Sequence, residues 1–544
     1  MDVDRKNECY NKDVTTYVVE ILVHQQNTTE VKNAKEIELK NLEDYDTFEE
    51  VADSGQDRIT SRWVVTKKEA HDGQKTKCKA RLVARGFQEE EPPLSDSPTV
   101  LRESNKLFTA VAANENSNVA SIDIRAAFLQ SKQLNRDVYV VPPRDIAKPG
   151  TLWKLKKPLY GLNDASRRFW LRLREVFEKE NLKTLPGDEA FYYKNVNGNL
   201  LGMIITHVDD FQVAGSDQFI DSILERLNST LTVSKVERGS FRFTGIDVQK
   251  VHDGIVLSMD EYANSFEEIK EIRRVKKDTS LTKTEMKLFR KYVGKMNWLA
   301  ENTRPDLAIW SLNLSKQNAK ATIGDLKKIN HVVKKVRCRQ SKVKFPVVGR
   351  KEDLVIHAIG DASYKSDSPS IGGNLLMLGN KSTNRVSPLY WKSKQIKNVC
   401  HSAKEAETRN IMKNVDVSVY LSEQLSVLLF GDSGYRIPVR VYTDSKPLLD
   451  SIASTKQVEQ KLLRNTMTDL KKKLEIGNVE SYSWIETKSM TADVLTKEGG
   501  DIENILEVVR ENMFRNANSH QNMVIFKEAE MMVQNPLVLA KSFD

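Results

Sequence analysis

Two adjacent carboxylates interrupt an apolar stretch near the middle of the chain. The stretch LLGMIITHVDDFQVAG runs from Leu200 to Gly215, with Asp209 and Asp210 between its two apolar runs. Apolar and β-branched residues favour two strands, and Asp is common in tight turns. Two neighbouring negative charges on a partly buried hairpin repel each other and lose hydration. The pattern therefore predicts a β-hairpin whose tip holds a divalent metal, although a VDD string by itself is also typical of an ordinary turn.

A third carboxylate, Asp123, lies upstream in the segment ASIDIRAAFLQ. The residues from Val119 to Ile124 alternate as in a strand, and those from Ala126 to Leu129 begin a helical pattern. Asp123 is placed where the two join, a position that an ordinary helix cap would also explain. Together with Asp209 and Asp210 it would complete the set of acids that a two-metal phosphoryl-transfer site needs.

Basic residues are concentrated further upstream, between Ser61 and Phe87. Two β-rich runs there are joined at Asp72-Gly73, which predicts a hairpin. This segment contains two acidic residues, Glu69 and Asp72, and eight basic ones. The basic residues are Arg62, Lys67, Lys68, Lys75, Lys77, Lys79, Arg81 and Arg85. Their alternation places cations on one face of a strand, where they could bind the phosphates of a nucleotide or a template backbone. A solvated strand face is the alternative interpretation.

The segment from Leu152 to Lys183 joins a basic strand to an amphipathic helix through a turn at Gly161. Apolar residues recur there at helical spacing and are expected in the core: Phe169, Trp170, Leu173, Val176 and Phe177. A second hairpin, with Asn197-Gly198 at its turn, then leads to the acidic stretch.

The second half of the chain begins with a strongly basic stretch from Lys327 to Lys344, with eight Lys or Arg residues and no acid. It could be a polyanion tether or a solvated linker, and composition does not separate the two. Strands and helices then alternate as in a compact α/β domain. Acids lie on four separate elements of that domain, with two of them on one helix, and four carboxylates from these elements could converge on two metals. The acids are Asp361 in a strand, Glu405 and Glu407 on the first long helix, Asp444 at a strand end and Asp493 on a short helix.

Composition limits the protein class. The 544 residues are 39% hydrophobic and 29% charged, with a net charge of +9, as in a soluble globular protein that could bind a polyanion. Four widely spaced cysteines and no HExxH argue against zinc and favour a reducing, intracellular setting. The N-terminus MDVDRKNECY has no leader pattern, and no apolar run is long enough for a membrane span, so no membrane partner is expected.

The order and spacing of these motifs resemble the reverse transcriptase and ribonuclease H region of a copia-type (Pseudoviridae-like) LTR retrotransposon polyprotein. In the first half KARLVARGF resembles the fingers motif, SIDIRAAFLQ the first catalytic aspartate, LWKLKKPLYGLNDASRRFW the template-grip segment and THVDDFQVAG the YVDD box. In the second half NTRPDLA, GDASY, YWKSKQ, SAKEAE, VYTDS and MTADVLTK follow in the family's order.

The resemblance implies an α+β multidomain fold, in which a right-hand polymerase of fingers, palm and thumb/connection precedes an α/β ribonuclease H-like domain. The expected boundaries are an N-terminal remnant at 1–45, fingers and palm at 46–250, thumb/connection at 251–347, the ribonuclease H-like domain at 348–500 and a C-terminal tail at 501–544, which we expect to be peripheral and helical.

The resemblance also implies roles for residues. Asp123, Asp209 and Asp210 would bind two Mg²⁺ ions, with Mn²⁺ as an alternative. Substrate contacts would come from Lys79 and Arg81 at the triphosphate, Arg85 as a helper, Phe128 as the gate against a 2′ hydroxyl, and Tyr160 and Gly161 of the grip segment. The nuclease pair of Mg²⁺ ions would be held by Asp361, Glu407, Asp444 and Asp493. Glu405 is the alternative to Glu407, because residues two apart on a helix point about 200° from each other.

The implied function is an RNA-directed DNA polymerase with ribonuclease H activity. Its partners would be an RNA template, a DNA primer, an RNA–DNA hybrid and dNTPs, in a cytoplasmic virus-like particle or in the nucleus. Three residues depart from the family pattern: His207 replaces an aromatic residue before VDD, and Asp164 and Ser166 replace Gln and Pro in the grip segment. A catalytically inactive remnant that only binds nucleic acid, and a chain in which only the nuclease half works, are the alternative hypotheses.

Overall fold

The computed structural model describes residues 18–21, 26–68, 77–431, 434–454, 461–515 and 524, and these form four β-sheets with helices packed on them. The predicted turn at Asp72-Gly73 and most of the termini lie outside the described residues. Among the helices of the described residues, none combines the length and apolar character needed to cross a bilayer.

The first sheet has the order β1-β3-β6-β7-β2, and β4 pairs with β3. Its strands are β1 (Val18–Glu20), β2 (Phe48–Ala52), β3 (Arg58–Lys68), β4 (Lys77–Ala84), β6 (Tyr139–Val141) and β7 (Thr151–Leu155). The antiparallel pairing of β3 with β4 confirms the two strands of the predicted basic hairpin. Helix α1 (Thr29–Asp44) packs on β4 through Val31, Ala34 and Leu42, so this part of the expected N-terminal remnant belongs to the core.

The second sheet has the order β12-β5-β11-β10-β9-β8. Its strands are β5 (Asn118–Ile124), β8 (Lys183–Leu185), β9 (Asp188–Val196), β10 (Asn199–His207), β11 (Asp210–Gly215) and β12 (Val233–Arg238), and its helices are α2 (Arg102–Asn114), α3 (Ala165–Lys179) and α4 (Asp217–Thr230). Both predicted hairpins, β9–β10 and β10–β11, are confirmed. The apolar stripe of α3 is buried as predicted.

The third sheet is antiparallel, in the order β13-β14-β15-β16. Its strands are β13 (Ser240–Phe243), β14 (Ile246–Val251), β15 (Gly254–Ser258) and β16 (Lys342–Pro346), accompanied by α5 (Asp260–Asn264), α6 (Lys283–Asn302), α7 (Ala308–Ser315) and α8 (Ile323–Arg337). The basic stretch that could have been a linker forms most of α8 and β16. The linker interpretation is wrong because apolar residues alternate with the lysines and are buried, among them Ile329, Val333 and Val343.

The fourth sheet has the order β19-β18-β17-β20-β21, antiparallel over its first three strands and parallel from β17 to β21. Its strands are β17 (Leu354–Lys365), β18 (Ser368–Asn380), β19 (Val386–Gln395), β20 (Val439–Thr443) and β21 (Ser481–Trp484). The helices are α9 (Ala403–Phe430), α10 (Lys446–Ala453), α11 (Lys461–Glu475) and α12 (Ile502–Leu506). The predicted α/β alternation is confirmed, although the sequence interpretation had no helix at α11.

The segment from 502 to 515 is not the peripheral tail that we expected. Ile505, Val509 and Phe514 are buried, and the Phe514 ring lies 5.6 Å from the ring of His357 on β17. The error arose because the burial of this short helix depends on the sheet that it covers, which lies far away in the sequence. Residues 516–523 and 525–544 of the expected tail lie outside the described residues.

A buried histidine beneath this segment should make stability depend on pH. His357 is fully buried, its Nδ1 lies 2.9 Å from the Tyr442 hydroxyl, and its Nε2 has no partner. Burial, aided by Arg440, lowers the pKa of His357 from 6.5 to about 3. The unfolded chain therefore binds a proton at this histidine below about pH 6.5 that the folded chain does not.

We expect the contribution of His357 to the free energy of unfolding to be intact above pH 6.5 and to fall as the pH drops toward 3. The loss between pH 7 and pH 5 is about 2 kcal/mol. Urea unfolding at these two pH values should show that loss in the wild type relative to His357→Gln. His252→Gln, at an exposed histidine, is the control and should show the same loss as the wild type. If the free energy of unfolding changes equally with pH in the wild type and in His357→Gln, the argument is contradicted.

Candidate functional site

Strand register brings Asp123 and Asp210 side by side. β11 pairs antiparallel with β5, with Asp210 opposite Asp123, and with β10, with Asp210 opposite His207. Asp209 directly precedes Asp210, in the turn between β10 and β11. It follows Val208, whose φ of 63° is strained for a β-branched residue. We call Asp123, Asp209 and Asp210 the first acid group. All three side chains are half-buried, at one end of the central strands.

The electrostatics of the first acid group favour a nearby cation. Burial raises the pKa of Asp210, and repulsion from Asp209 and Asp123 raises it further, while His207 opposes the shift. The Asp123 carboxylate accepts a hydrogen bond from the Ser234 hydroxyl. The carboxylate oxygens of this group do not all lie within 4.8 Å of one another. Among the described residues, another set of acids, described below, meets that spacing.

Strand β4 presents its cations to this group. Burial and repulsion from Arg81 lower the pKa of Lys79, and attraction to Asp123 and Asp209 opposes the shift. Lys79 thus lies within electrostatic reach of two acids from another sheet. The Arg81 guanidinium lies over the Tyr160 ring, 5.5 Å from its centre, and its Nε is buried without a hydrogen-bond partner.

The remaining predicted substrate contacts lie at two places. The Phe128 ring is 5.1 Å from the Tyr160 ring and tilted by 57° against it, so Phe128 and Arg81 both contact Tyr160. Arg85 follows the end of β4 and donates from Nη1 to the Thr60 hydroxyl at 3.3 Å, which directs it toward its own sheet.

Gly161 joins the grip segment to the end of β4. Its φ is +87°, and a Cβ added there would lie 2.1 Å from the Ala84 carbonyl oxygen. The Ala84 amide donates to the Tyr160 carbonyl at 2.7 Å, and the Gly86 amide donates to the Gly161 carbonyl at 3.2 Å. A side chain at 161 would force these two backbones apart, so glycine is required for close approach rather than for a contact of its own.

Sequence reasoning missed Glu38 on α1. Its side chain is 6% exposed, and its Oε1 accepts from the Leu82 amide of β4 at 3.4 Å. Burial raises the pKa of Glu38, while Asn41, Arg81 and Lys79 act in the opposite direction along with that backbone hydrogen bond. The signal in the sequence was an acid on the apolar stripe of an amphipathic helix, in a region where we found no catalytic motif.

The departure at Asp164 has a local structural explanation. Asp164 is buried and accepts from Arg136 Nη1 at 2.7 Å and from Arg168 Nε at 2.5 Å. Burial would raise the pKa of Asp164, but its hydrogen bonds and charge interactions with these two arginines outweigh that effect and lower it. Arg136 also binds Glu89 at 2.7 Å. Asp164 is therefore the centre of an ion-pair network that anchors the start of α3. His207 is exposed, and Ser166 is half-buried.

A second acid group consists of Asp361, Glu407 and Asp444, whose carboxylate oxygens all lie within 4.8 Å of one another. Asp361 is within β17, Glu407 is in the second turn of α9, and Asp444 directly follows β20. Burial and like charges raise the pKa of Asp361 to about 6 and that of Glu407 to about 9. The Ala362 amide donates to Glu407 Oε1 at 3.0 Å, while Glu407 Oε2 is buried without a partner.

Polar residues from the end of the domain surround this group. The Thr496 hydroxyl donates to Asp361, and the Thr487 hydroxyl donates to Asp444 at 2.9 Å. Asp493 is ion-paired with Lys497 and raises the pKa of Asp361, so it lies nearby without meeting the spacing of the other three.

The geometry separates Glu407 from Glu405. Glu405 accepts from the His401 amide at 3.0 Å and from Arg409 Nη2 at 2.8 Å, and it is fully buried in those contacts. The helix turns it away from the second acid group, as residues two apart must be. Glu407 is therefore the acid that the structure brings to Asp361 and Asp444.

The second acid group fits a divalent metal. Three like-charged carboxylates within 4.8 Å destabilise one another, and the buried Glu407 Oε2 lacks the partner that a buried oxygen needs. An all-oxygen donor set is the kind that Mg²⁺, Ca²⁺ and Mn²⁺ prefer.

Residues 43–285 match the family described as Reverse transcriptase (RNA-dependent DNA polymerase). The Retrovirus-related Pol polyprotein from transposon RE1 of Arabidopsis thaliana is 27% identical over 413 residues, covering 71% of this chain and 27% of the relative. The Transposon Ty1-BL Gag-Pol polyprotein of Saccharomyces cerevisiae is 24% identical over 467 residues, covering 77% of this chain and 25% of the relative. The chain thus spans about a quarter of the length of these relatives.

Among solved structures, the foamy viral protease-reverse transcriptase dRH in complex with ds DNA superposes with a TM-score of 0.51 at 14% identity. The alignment covers 85% of this chain and 70% of the other. At that identity the likeness concerns the fold, and it confirms the predicted α+β multidomain class with a polymerase-like arrangement, which the α/β sheet of β17 to β21 follows in the chain. The resemblance inferred from the motifs is confirmed as well, and this chain is similar to the reverse transcriptase region of copia-type LTR retrotransposon polyproteins.

Proposed function

We propose that this chain is an RNA-directed DNA polymerase with a second, ribonuclease H activity. The observation that carries the proposal is the register that sets Asp123 opposite Asp210 beside Asp209, within electrostatic reach of Lys79 on β4. Acids and a phosphate-binding cation on facing elements are what in-line phosphoryl transfer needs, because its charge is stabilised by metals and cations rather than by a covalent intermediate. The substrates would be an RNA template, a DNA primer and dNTPs.

Each residue near the first acid group has a proposed role. Lys79 and Arg81 bind the incoming triphosphate, and stacking on Tyr160 holds the Arg81 guanidinium in place. Phe128, whose ring contacts that of Tyr160, excludes a 2′ hydroxyl by its bulk. Gly161 keeps the grip segment against β4, and Arg85 supports that strand end through Thr60.

In the second acid group Asp361, Glu407 and Asp444, with Asp493 beside them, would hold the metal that cuts the RNA strand of an RNA–DNA hybrid. Mg²⁺, or Mn²⁺ in its place, would at either acid group help to deprotonate the attacking hydroxyl or water and neutralise charge developing on the phosphate. Lys497 neutralises Asp493 and, through its charge, favours the ionised forms of Asp361 and Glu407.

The domain assignment follows from these roles. We infer fingers and palm over 46–250, thumb/connection over 251–347 and the nuclease domain over 348–500. The sheet of β13 to β16 crosses the boundary near 250, so the thumb/connection packs continuously with the palm. Reverse transcription would take place in a cytoplasmic particle, with the nucleus as the alternative location.

A second candidate is a chain in which only the nuclease half works. It is favoured by one observation: the second acid group meets metal-ligand spacing in this structure, whereas the first does not. A wholly silent remnant that only binds nucleic acid would retain neither activity.

Replacing Asp209 and Asp210 together by Asn should reduce extension of a DNA primer on an RNA template by at least about a hundredfold, because charge stabilisation at the reacting phosphate is lost. Asp217→Asn with Asp221→Asn, two exposed acids of α4, makes the same change in charge and should leave extension intact. Hybrid cleavage by the same samples should persist, and it should be lost in Asp444→Asn. If the wild type cuts hybrid but does not extend primers, the polymerase proposal is wrong and the nuclease-only candidate stands.

Mg²⁺ should raise the melting temperature of the chain through the second acid group. A ligand at 100 times its Kd stabilises the folded state by about 2.7 kcal/mol. In a background with Asp209→Asn and Asp210→Asn, the shift should be lost in Glu407→Gln, which removes the unpartnered ligand. Glu405→Gln lowers the charge equally and should keep the metal-dependent shift. Equal shifts in both variants would rule out Glu407 as a ligand.

Glu38 should act as a positioning residue for the cations of β4. Glu38→Gln keeps an acceptor for the Leu82 amide but removes the charge near Arg81 and Lys79. We expect KM for dNTPs to rise about tenfold, a change of about 1.4 kcal/mol, with a smaller change in kcat. Glu43→Gln on the exposed face of α1 is the matched control. A lower melting temperature with unchanged KM would mean that Glu38 only stabilises the fold.

A further inference from the structure

A basic groove opens beside the second acid group. It has a volume of about 850 Å³ and lies between the end of α7 and the hairpin of β17 and β18. Lys316 and Lys320 line the groove on the α7 side, and Lys365 lines it on the side of the hairpin. One end is closed by Thr496, Lys497 and Glu498. The groove thus combines residues from the third sheet's helices with residues of the fourth sheet.

The charge of the groove is not neutralised within the protein. Glu498 accepts from the Asn313 amide at 2.7 Å, and Lys497 is paired with Asp493. Lys316, Lys320 and Lys365 have no ion-pair partner among the described residues. Burial and the facing Lys365 lower the pKa of Lys316. Glu498 is the one acid among the described residues that line the groove, and the three lysines outnumber it, so they gain stability from a bound anion.

The groove is continuous with the acids. Thr496, which lines it, donates its hydroxyl to Asp361, and the neighbouring Lys497 contacts Asp493. An anion that fills the groove would therefore lie next to Thr496, which is hydrogen-bonded to Asp361 of the second acid group. Its lysines are contributed from both sides, as a chain with regularly spaced negative charges would require.

We propose that Lys316, Lys320 and Lys365 bind the sugar-phosphate backbone of a nucleic acid strand that reaches the second acid group. This inference rests on the proposed nuclease function and adds the surface that holds its substrate. Lysine ammonium groups bind phosphates as point charges and do not read base sequence. The groove therefore anchors the strand without selecting its sequence. The RNA and the DNA strand share this backbone chemistry, and the binding experiment separates them.

The test compares the triple variant Lys316→Gln, Lys320→Gln and Lys365→Gln with a control triple of Lys32→Gln, Lys413→Gln and Lys472→Gln. The control lysines are exposed on α1, α9 and α11, do not line the groove, and change the net charge equally. Fluorescence anisotropy in EDTA measures binding of labelled RNA–DNA hybrid, single-stranded RNA, single-stranded DNA and polyglutamate at several salt concentrations. Inorganic phosphate is measured as a competitor of the labelled hybrid.

For the hybrid, the slope of log affinity against log salt should fall by about one per groove lysine, and thus by about three in the groove variant, but not in the control. If the slope falls equally for only one of the two single strands, RNA or DNA, that strand is the one that the groove binds. Equal slopes in the two triple variants overturn the proposal. Loss of polyglutamate or phosphate binding alone also overturns it, in favour of an acidic protein or a small anion.

Cleavage assays keep this proposal separate from the nuclease function. If the wild type cuts hybrid and the groove variant binds it as tightly as the control, the groove proposal fails and the function stands. If the slope falls as expected but the wild type cuts nothing, the groove stands and the nuclease function fails. A charge reversal at the exposed Lys320 alone, Lys320→Glu, should weaken hybrid binding without the triple variant's risk to folding.

Discussion

The antiparallel pairing of β5 with β11 is the constraint on which the first acid group depends. Side chains alternate between the two faces of a sheet, so a slip of one residue would turn Asp210 away from Asp123. The register is held by the apolar neighbours Ile122 and Phe211, both fully buried against α3 and α4. Burial of the core thus places the carboxylates, and their mutual repulsion is tolerated because the same strands cannot move apart. The strained backbone at Val208 is kept by this packing as well.

Buried charge is stabilised differently at the second acid group and at Arg304. The second acid group is buried and incompletely paired, which raises the pKa of Asp361 and Glu407 and makes the cluster ready for a cation. Arg304 of the NTRPDLA motif is also buried, but its guanidinium is fully used. It pairs with Asp306 at 2.8 Å and donates to the Val336 carbonyl at 3.0 Å and the Lys335 carbonyl at 3.2 Å, at the end of α8. This family motif therefore has a structural role, because it satisfies the last carbonyls of a helix.

The two halves of the molecule share one core. Helix α2 packs against both β15 and β19, and the Lys106 ammonium lies 3.2 Å from the centre of the Trp391 ring. The Trp391 indole donates to the Ala300 carbonyl of α6 at 2.8 Å. At another contact, Asn195 beside the β9–β10 turn donates to the Leu428 carbonyl of α9 at 2.8 Å. These contacts join the sheet that carries the first acid group to the sheet that carries the second.

The sequence by itself determined the hairpins, the amphipathic α3, the α/β alternation of the second half and the order of motifs, because these depend on local spacing and on turn residues. Only the tertiary structure decided which acids meet. It separated Glu407 from Glu405, set Asp123 opposite Asp210, placed Glu38 behind β4 and made the basic stretch of α8 a packed helix. It also revealed that Asp164 is bound by two arginines. Such relations join residues far apart in the chain, and local patterns carry no information about the partner that burial and strand register will bring to them.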